Sequence, residues 1–294
     1  MKHRFLSLLM AVTLLLAVQI CHAKPLILAS IKPLALIAQE ITGTAADVDT
    51  LLPDTASHHD YPLKVSDHAR MKKADVILWI GPELESFLQK PIANIAPTKI
   101  ITSYELAGMN WPVNNHASEH SDHAFEHDPH LWLDPRNAVI VAQALTLQLV
   151  QIDAINAKQY QTNLQVFTAK MQQLDTQLQA SLKPLAGLGF AVYHEGFEHF
   201  VGRYGLHQLD YVTFTPEQKP GAKHMAQLRG ALAGGKCLFL EPYKDTQSMR
   251  DLAQELHLRL GLLDALGTQG AKSYTQLLTQ MAESFSACLT DRRN

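Results

Sequence analysis

Seven apolar residues, Tyr160, Leu164, Phe167, Met171, Leu174, Leu178 and Leu182, recur at steps of 4, 3, 4, 3, 4 and 4. That spacing lines one face of an α-helix, with Gln, Lys and Asp on the opposite face. Lys183-Pro184 and Gly187 stop it. Residues 156–183 would span roughly 40 Å at the usual helical rise, enough to run the length of a domain. A coiled-coil dimer is the alternative, but an isolated stripe this short is expected to pack on its own chain.

On both sides of this helix, short β-rich runs alternate with amphipathic helical patterns. Before it, strands are expected at Leu26–Ser30, Val48–Leu52, Val76–Ile80 and Lys99–Thr102, with helices at Leu34–Ile41, Ser66–Lys73, Glu83–Gln89 and Asn137–Gln151. After it, strands are expected at Phe190–Tyr193, Gln208–Phe214, Cys237–Leu240 and Leu258–Leu262. The helices expected there are Phe197–Tyr204, Ala222–Leu232, Gln247–Leu256 and Ser273–Cys288. Such alternation argues for βα units on parallel sheets. The expected fold is therefore α/β, two Rossmann-like lobes over residues 24–151 and 187–294, joined by a single long α-helix within residues 152–186. In such sheets ligands bind beyond the carboxyl ends of the strands, which in a two-lobed chain is the interlobe cleft.

Residues 1–23 read as an export signal: Lys2 and Arg4, an almost wholly apolar run from Phe5 to Ile20, and a small-x-Ala site at Cys21-His-Ala23. The apolar run is short for a membrane span, and bulky Ile20 argues against a lipoprotein reading of Cys21. Cleavage after Ala23 would release a soluble exported protein with no direct membrane insertion. It would carry a net charge of −5 instead of −3, since the leader holds two bases and no acid. That mild acidity offers nothing to nucleic acid or anionic lipid. Cys237 and Cys288 would then be the remaining cysteines, and in an oxidising compartment one disulfide is the natural reading, two buried free thiols the alternative.

Between His116 and His130 lie five of the fifteen histidines, interleaved with Glu119, Asp122, Glu126 and Asp128. Imidazole and carboxylate together are ligands of borderline divalent cations. Up to Asp128 the residues are small, polar and titratable, so the stretch 114–128 reads as a mobile loop in which His116, His120, His123 and His127 form a weak, auxiliary metal tether. His130 differs, because Leu131, Trp132 and Leu133 follow it at once and place it at the edge of a core. Two more histidines occupy strand ends. His59 follows the second expected strand, in Leu52-Pro-Asp-Thr-Ala-Ser-His-His-Asp-Tyr-Pro, and His194 closes Phe190-Ala-Val-Tyr ahead of Glu195-Gly196. Three imidazoles plus one further donor make a tetrahedral zinc site. His68, His199, His207, His224 and His257 have no partner spacing and read as surface or core residues.

Several stretches together resemble the zinc-binding periplasmic proteins of ATP-binding-cassette importers, over essentially the whole mature chain. They are Leu51-Leu-Pro-Asp with Ser-His-His-Asp-Tyr, Ala74-Asp-Val-Ile-Leu-Trp-Ile-Gly-Pro-Glu, His130-Leu-Trp-Leu, Tyr193-His194 and Phe239-Leu-Glu-Pro. The resemblance implies a metal clamped between two lobes, with His59, His130 and His194 at three ligand positions and Cys237 and Cys288 at the disulfide of the zinc-binding members. It implies zinc as transported ligand, a permease and its ATPase as partners, and a periplasmic location. The fourth ligand is Asp264, in Gly261-Leu-Leu-Asp-Ala-Leu-Gly, or water, or else His58, which stands where relatives carry Glu. In Asp264's loop Ala265 replaces the family's usual Pro. Asp60 and Glu195 read as groups orienting an imidazole.

The reading is thus a carrier and not an enzyme. A manganese carrier on the same scaffold is the nearest rival, but manganese prefers more oxygen donors. A zinc hydrolase would want a general base and a substrate pocket, and no HExxH motif is present. A metal-dependent adhesin is the remaining alternative.

Overall fold

A computed structural model describes residues 23–112, 127–242 and 247–290. The expected signal segment and most of the His-rich loop, including His116, His120 and His123, lie outside the described residues. The first lobe runs β1 (Leu26–Ala29), α1 (Lys32–Thr42), β2 (Asp47–Thr50), α2 (Val65–Lys73), β3 (Val76–Trp79), α3 (Gln89–Ile92), β4 (Ile100–Thr102) and α4 (Pro135–Ile152). The long helix α5 covers Ala157–Leu182. The second lobe follows as β5 (Gly189–His194), α6 (Glu198–Tyr204), β6 (His207–Thr213), α7 (Ala222–Ala231), β7 (Cys237–Leu240), α8 (Gln247–Glu255), β8 (Arg259–Leu262) and α9 (Tyr274–Thr290).

Each lobe holds one four-stranded, all-parallel sheet, ordered β2-β1-β3-β4 and β6-β5-β7-β8. The central strands read Ile-Leu-Ala, Val-Ile-Leu-Trp and Cys-Leu-Phe-Leu because both of their faces are covered, and all three runs are buried. In both sheets β1 or β5 is central, and the crossover connections leave from its carboxyl end.

The stripe of α5 packs on its own chain: Tyr160, Phe167, Met171, Leu174, Leu178 and Leu182 are buried, and Leu164 is partly buried against the same core. Its neighbours are α1 and α4 from the first lobe and α6 and α9 from the second. One apolar core therefore runs from Ile27 and Leu78 through α5 to Phe190, Phe239 and Phe285. A smaller cluster fills the outer face of the second sheet, where Ala191, Tyr193 and Leu238 meet Leu228 of α7 and Leu252 of α8. The period-two alternation of β5 thus sends Phe190 and Val192 inward and Ala191 and Tyr193 outward.

A helix expected over Glu83–Gln89 is instead a 3₁₀ turn, Ser86–Leu88, running into the short α3. Glu85 explains the break. Its Oε2 accepts the N–H of Ile80 at 2.8 Å and the residue is fully buried, so the chain folds around that carboxylate before a helix can form. Burial pushes its pKa up to about 7, against the opposing hydrogen bond from the backbone N–H of Ile80. A folded-state pKa above the unfolded value means the native state holds the extra proton, so Glu85 disfavours folding as pH rises from about 4.5 through 7. Glu85→Gln should stabilise the protein at pH 8 by roughly 3 kcal/mol and leave it unchanged near pH 4, as read from urea melts at both values. Equal effects at the two pH values would refute this.

Cys237 at the start of β7 and Cys288 in α9 form a disulfide, closing 51 residues of chain. Closing a loop of that size restricts the unfolded chain by an amount worth roughly 4 kcal/mol. Reductant present during a denaturant melt should lower stability by about that much, and an unchanged midpoint would count against it.

Candidate metal centre

The segment before α4 is organised by burial. Leu131, Trp132 and Leu133 form a 3₁₀ turn with no exposed surface, and Asp134 caps α4 by accepting the N–H of Arg136 at 2.8 Å, with Pro135 in the first turn. That anchored turn holds His130 at its start, itself buried. Trp132 also joins the lobes: its Nε1–H donates to the carbonyl of Ala265 at 2.8 Å, and its own carbonyl accepts the hydroxyl of Tyr274 at 2.6 Å.

His194 ends β5 on the face that carries Phe190 and Val192, so it points toward the interlobe core. His58 and His59 sit on the loop after β2, at the carboxyl end of the first sheet. The two strand-end regions and the turn bring four imidazoles together. One nitrogen from each of His58, His59, His130 and His194 lies within 4.8 Å of the others. His130 Nε2 is 3.1 Å from His58 Nε2 and 3.3 Å from His194 Nε2. For a tetrahedral zinc ion with bonds near 2.05 Å, ligand nitrogens stand roughly 3.3 Å apart.

Two carboxylates fix which nitrogens face inward. His130 Nδ1–H donates to Asp128 Oδ1 at 2.6 Å, and His194 Nδ1–H donates to Glu241. Their Nε2 atoms are therefore left with lone pairs, and those two lone pairs face each other. His59 Nε2 is buried with no hydrogen-bond partner. Burial lowers the pKa of His58 and of His59 well below the imidazole value, with the neighbouring cluster histidines adding to the effect. Both are thus kept in the neutral, ligating form. Burial alone would raise the pKa of Asp128, but its interactions with His130, the ring and backbone hydrogen bonds among them, helped by His199, hold it well below the usual carboxylate range.

The expected residues divide clearly. His59, His130 and His194 meet, and His58 joins them on equal terms. Asp264 is not in the group: its Oδ2 accepts the N–H of Gln269 at 2.6 Å and the hydroxyl of Thr268 at 3.2 Å, closing its own loop. Asp60 is exposed, and Glu195 accepts from Gln208 Nε2 at 3.0 and 3.1 Å, so neither orients a cluster imidazole. That role falls to Asp128 and Glu241. Asp128 had read as one acid among several in a mobile loop, and Glu241 as part of Phe239-Leu-Glu-Pro with no role attached. His127 is likewise not a free tether residue, because its ring stacks on Trp111 at 4.7 Å and its carbonyl accepts the hydroxyl of Tyr104 at 3.3 Å. His199 is a core histidine, with its Nε2–H on the carbonyl of Asp128 at 2.9 Å and its Nδ1 3.3 Å from Asn137 Nδ2.

Gly196 completes the approach. A Cβ there would collide with the His194 imidazole and stand 2.9 Å from His130 Cε1, so any side chain would fill the space between the ligand rings. Among the described residues this is the single grouping of histidines, cysteines or acids able to hold a metal ion, and none of their helices is long and apolar enough to cross a membrane.

A family model described as zinc-uptake complex component A, periplasmic, matches residues 27–288. The high-affinity zinc uptake system protein ZnuA of Yersinia pestis is 32% identical over a 306-residue alignment covering 96% of each chain. The protein of the same name from Haemophilus influenzae is 31% identical, over 90% of this chain and 92% of that one. A crystal structure of ZnuA matches with a TM-score of 0.77 at 25% identity, covering 91% of this chain and 100% of the other. The AdcAII protein of Streptococcus pneumoniae, at 24% identity and a TM-score of 0.76 over 92% of this chain and 100% of its own, shares the fold.

Proposed function

The chain belongs to the periplasmic zinc-uptake component A family, and from that premise we propose that it captures zinc through His58, His59, His130 and His194 and delivers it to the permease of an ABC-type importer, whose ATPase drives uptake. The observation that carries the site is the approach of His130 Nε2 to His194 Nε2, 3.3 Å apart, with each ring held by a carboxylate on its Nδ1 so that only Nε2 is left to ligate. Acceptors facing acceptors repel unless a cation lies between them. Four neutral nitrogens suit zinc, whereas manganese takes oxygen. The protein acts as an exported monomer in the periplasm after removal of residues 1–23, and His116, His120 and His123 gather further ions weakly.

Metal-free protein titrated with zinc and with manganese, with retained ions identified by elemental analysis, tests this reading. One tightly held zinc per chain is expected, with manganese lost on dialysis. Deleting residues 113–126, which spares the anchored His127 and Asp128, should leave that zinc in place and remove additional weak binding. Retention of manganese in preference to zinc, or loss of the tight zinc in the deletion, would defeat it.

A further inference from the structure

We propose that Asp128 and Glu241 are positioning residues that serve as the counter-anions of the captured dication, acting through the imidazoles of His130 and His194. This rests on the four-imidazole reading of the site and extends it to two side chains that never touch the ion.

Four neutral imidazoles leave both charges of a buried dication uncompensated, and an unpaired charge out of water is strongly unfavourable. The carboxylates of Asp128 and Glu241 are 5% and 2% exposed, and each bonds the outward Nδ1 of a cluster imidazole. Among the described residues, no other carboxylate hydrogen-bonds any of the four rings. Two negative charges one hydrogen bond behind the ligands balance the two positive charges of the cation. Each also increases electron density on the Nε2 opposite, making it a stronger donor.

The fold places both acids deliberately close. Val192 of β5 pairs with Phe239 of β7, so two residues further on His194 and Glu241 stand side by side on the same face, at the carboxyl ends of adjacent parallel strands. Asp128 is held by three bonds besides its role to the ring: Oδ1 accepts the N–H of His130 at 3.0 Å, Oδ2 accepts the N–H of Glu198 in the other lobe at 3.1 Å, and its carbonyl accepts His199. Asp128 is thus held in place with or without the ion, and Glu241 stands beside His194 at the adjacent strand end, so a cation of lower charge leaves the site with surplus negative charge. The arrangement thereby selects for divalent ions by charge as well as by donor type.

Glu241→Gln removes the charge and keeps a carbonyl oxygen able to accept Nδ1–H. It should weaken zinc binding about 10- to 100-fold. Silver(I), an imidazole-binding monocation, should lose clearly less, because only one charge needs compensation. Cobalt(II) bound to the variant should keep the visible spectrum of a four-nitrogen tetrahedral site, and the metal-free protein should melt no lower than the parent. Asp128→Asn should repeat the zinc-over-silver difference, and serves if the first variant does not fold. Equal losses for zinc and silver, or zinc affinity unchanged in both variants, would overturn the countercharge role while leaving the ligand set intact. A His194→Ala control that binds zinc like the parent would instead show that the four-imidazole site itself is wrong.

Discussion

Alanine in place of His194 is expected to eliminate high-affinity zinc binding. The side chain supplies one of four converging nitrogens from the end of β5, and no other donor in the group can move into its place, since His130 is pinned by Asp128 and the turn beneath it is wholly buried. The loss should exceed about 100-fold, because even a carboxylate that only orients a ligand is worth 10- to 100-fold. The second readout is stability. Zinc at a thousandfold excess over its dissociation constant should raise the unfolding free energy of the parent by roughly 4 kcal/mol, and the variant should gain almost none of it at the same concentration. His130→Ala should behave alike. Asp264→Ala is the informative contrast: its carboxylate closes the loop to Thr268 and Gln269, so zinc affinity should not change. A large loss with Asp264→Ala and none with His58→Ala would return the fourth position to the carboxylate.

The largest structural effect is expected from Trp132→Ala. The indole is completely buried next to the cluster, its ring 5.2 Å from that of His130 and 5.9 Å from that of His58. Removing a buried Trp costs about 3–5 kcal/mol through lost transfer and a cavity. The carbonyl of Ala265 also loses its donor, adding about 1–3 kcal/mol. The bond from Tyr274 survives because it ends on the backbone carbonyl of residue 132. A denaturant melt should show the combined drop, and zinc affinity should fall with it as His130 loses its packing. Trp132→Phe retains most of the apolar area and should cost only the indole hydrogen bond. A drop under about 2 kcal/mol for the alanine variant would mean that the two lobes are not joined through this side chain.

Both results concern a site whose parts differ in how far the chain order reveals them. The periods of 3.6 and 2 locate most of the helices and strands within a residue or two, because each element must present one face to a core. Cys237–Leu240 and the buried stripe of α5 are examples. The miss at Glu83–Gln89 has the opposite cause: a buried carboxylate bonded to Ile80 overrode local helical preference, and no periodicity reports such a bond.

Residue chemistry by itself determined that the chain is two α/β lobes about one long helix, and that histidines at strand ends and beside Leu131-Trp132-Leu133 are its reactive feature. Those conclusions depend on local composition and spacing, which a single chain displays in full. Only the tertiary structure decided that His58 joins the cluster, that Asp264 stays in its own loop, and that Asp128 and Glu241 hold the outward nitrogens. Each of these depends on register or packing between segments far apart in sequence. His194 and Glu241 are 47 residues apart and become neighbours through the pairing of β5 with β7, and His58 meets His130 across 72 residues through the docking of a turn against a loop. A histidine or an acid looks the same in the chain whether it faces a cleft or solvent; which way it faces is set by the strand and the core beneath it.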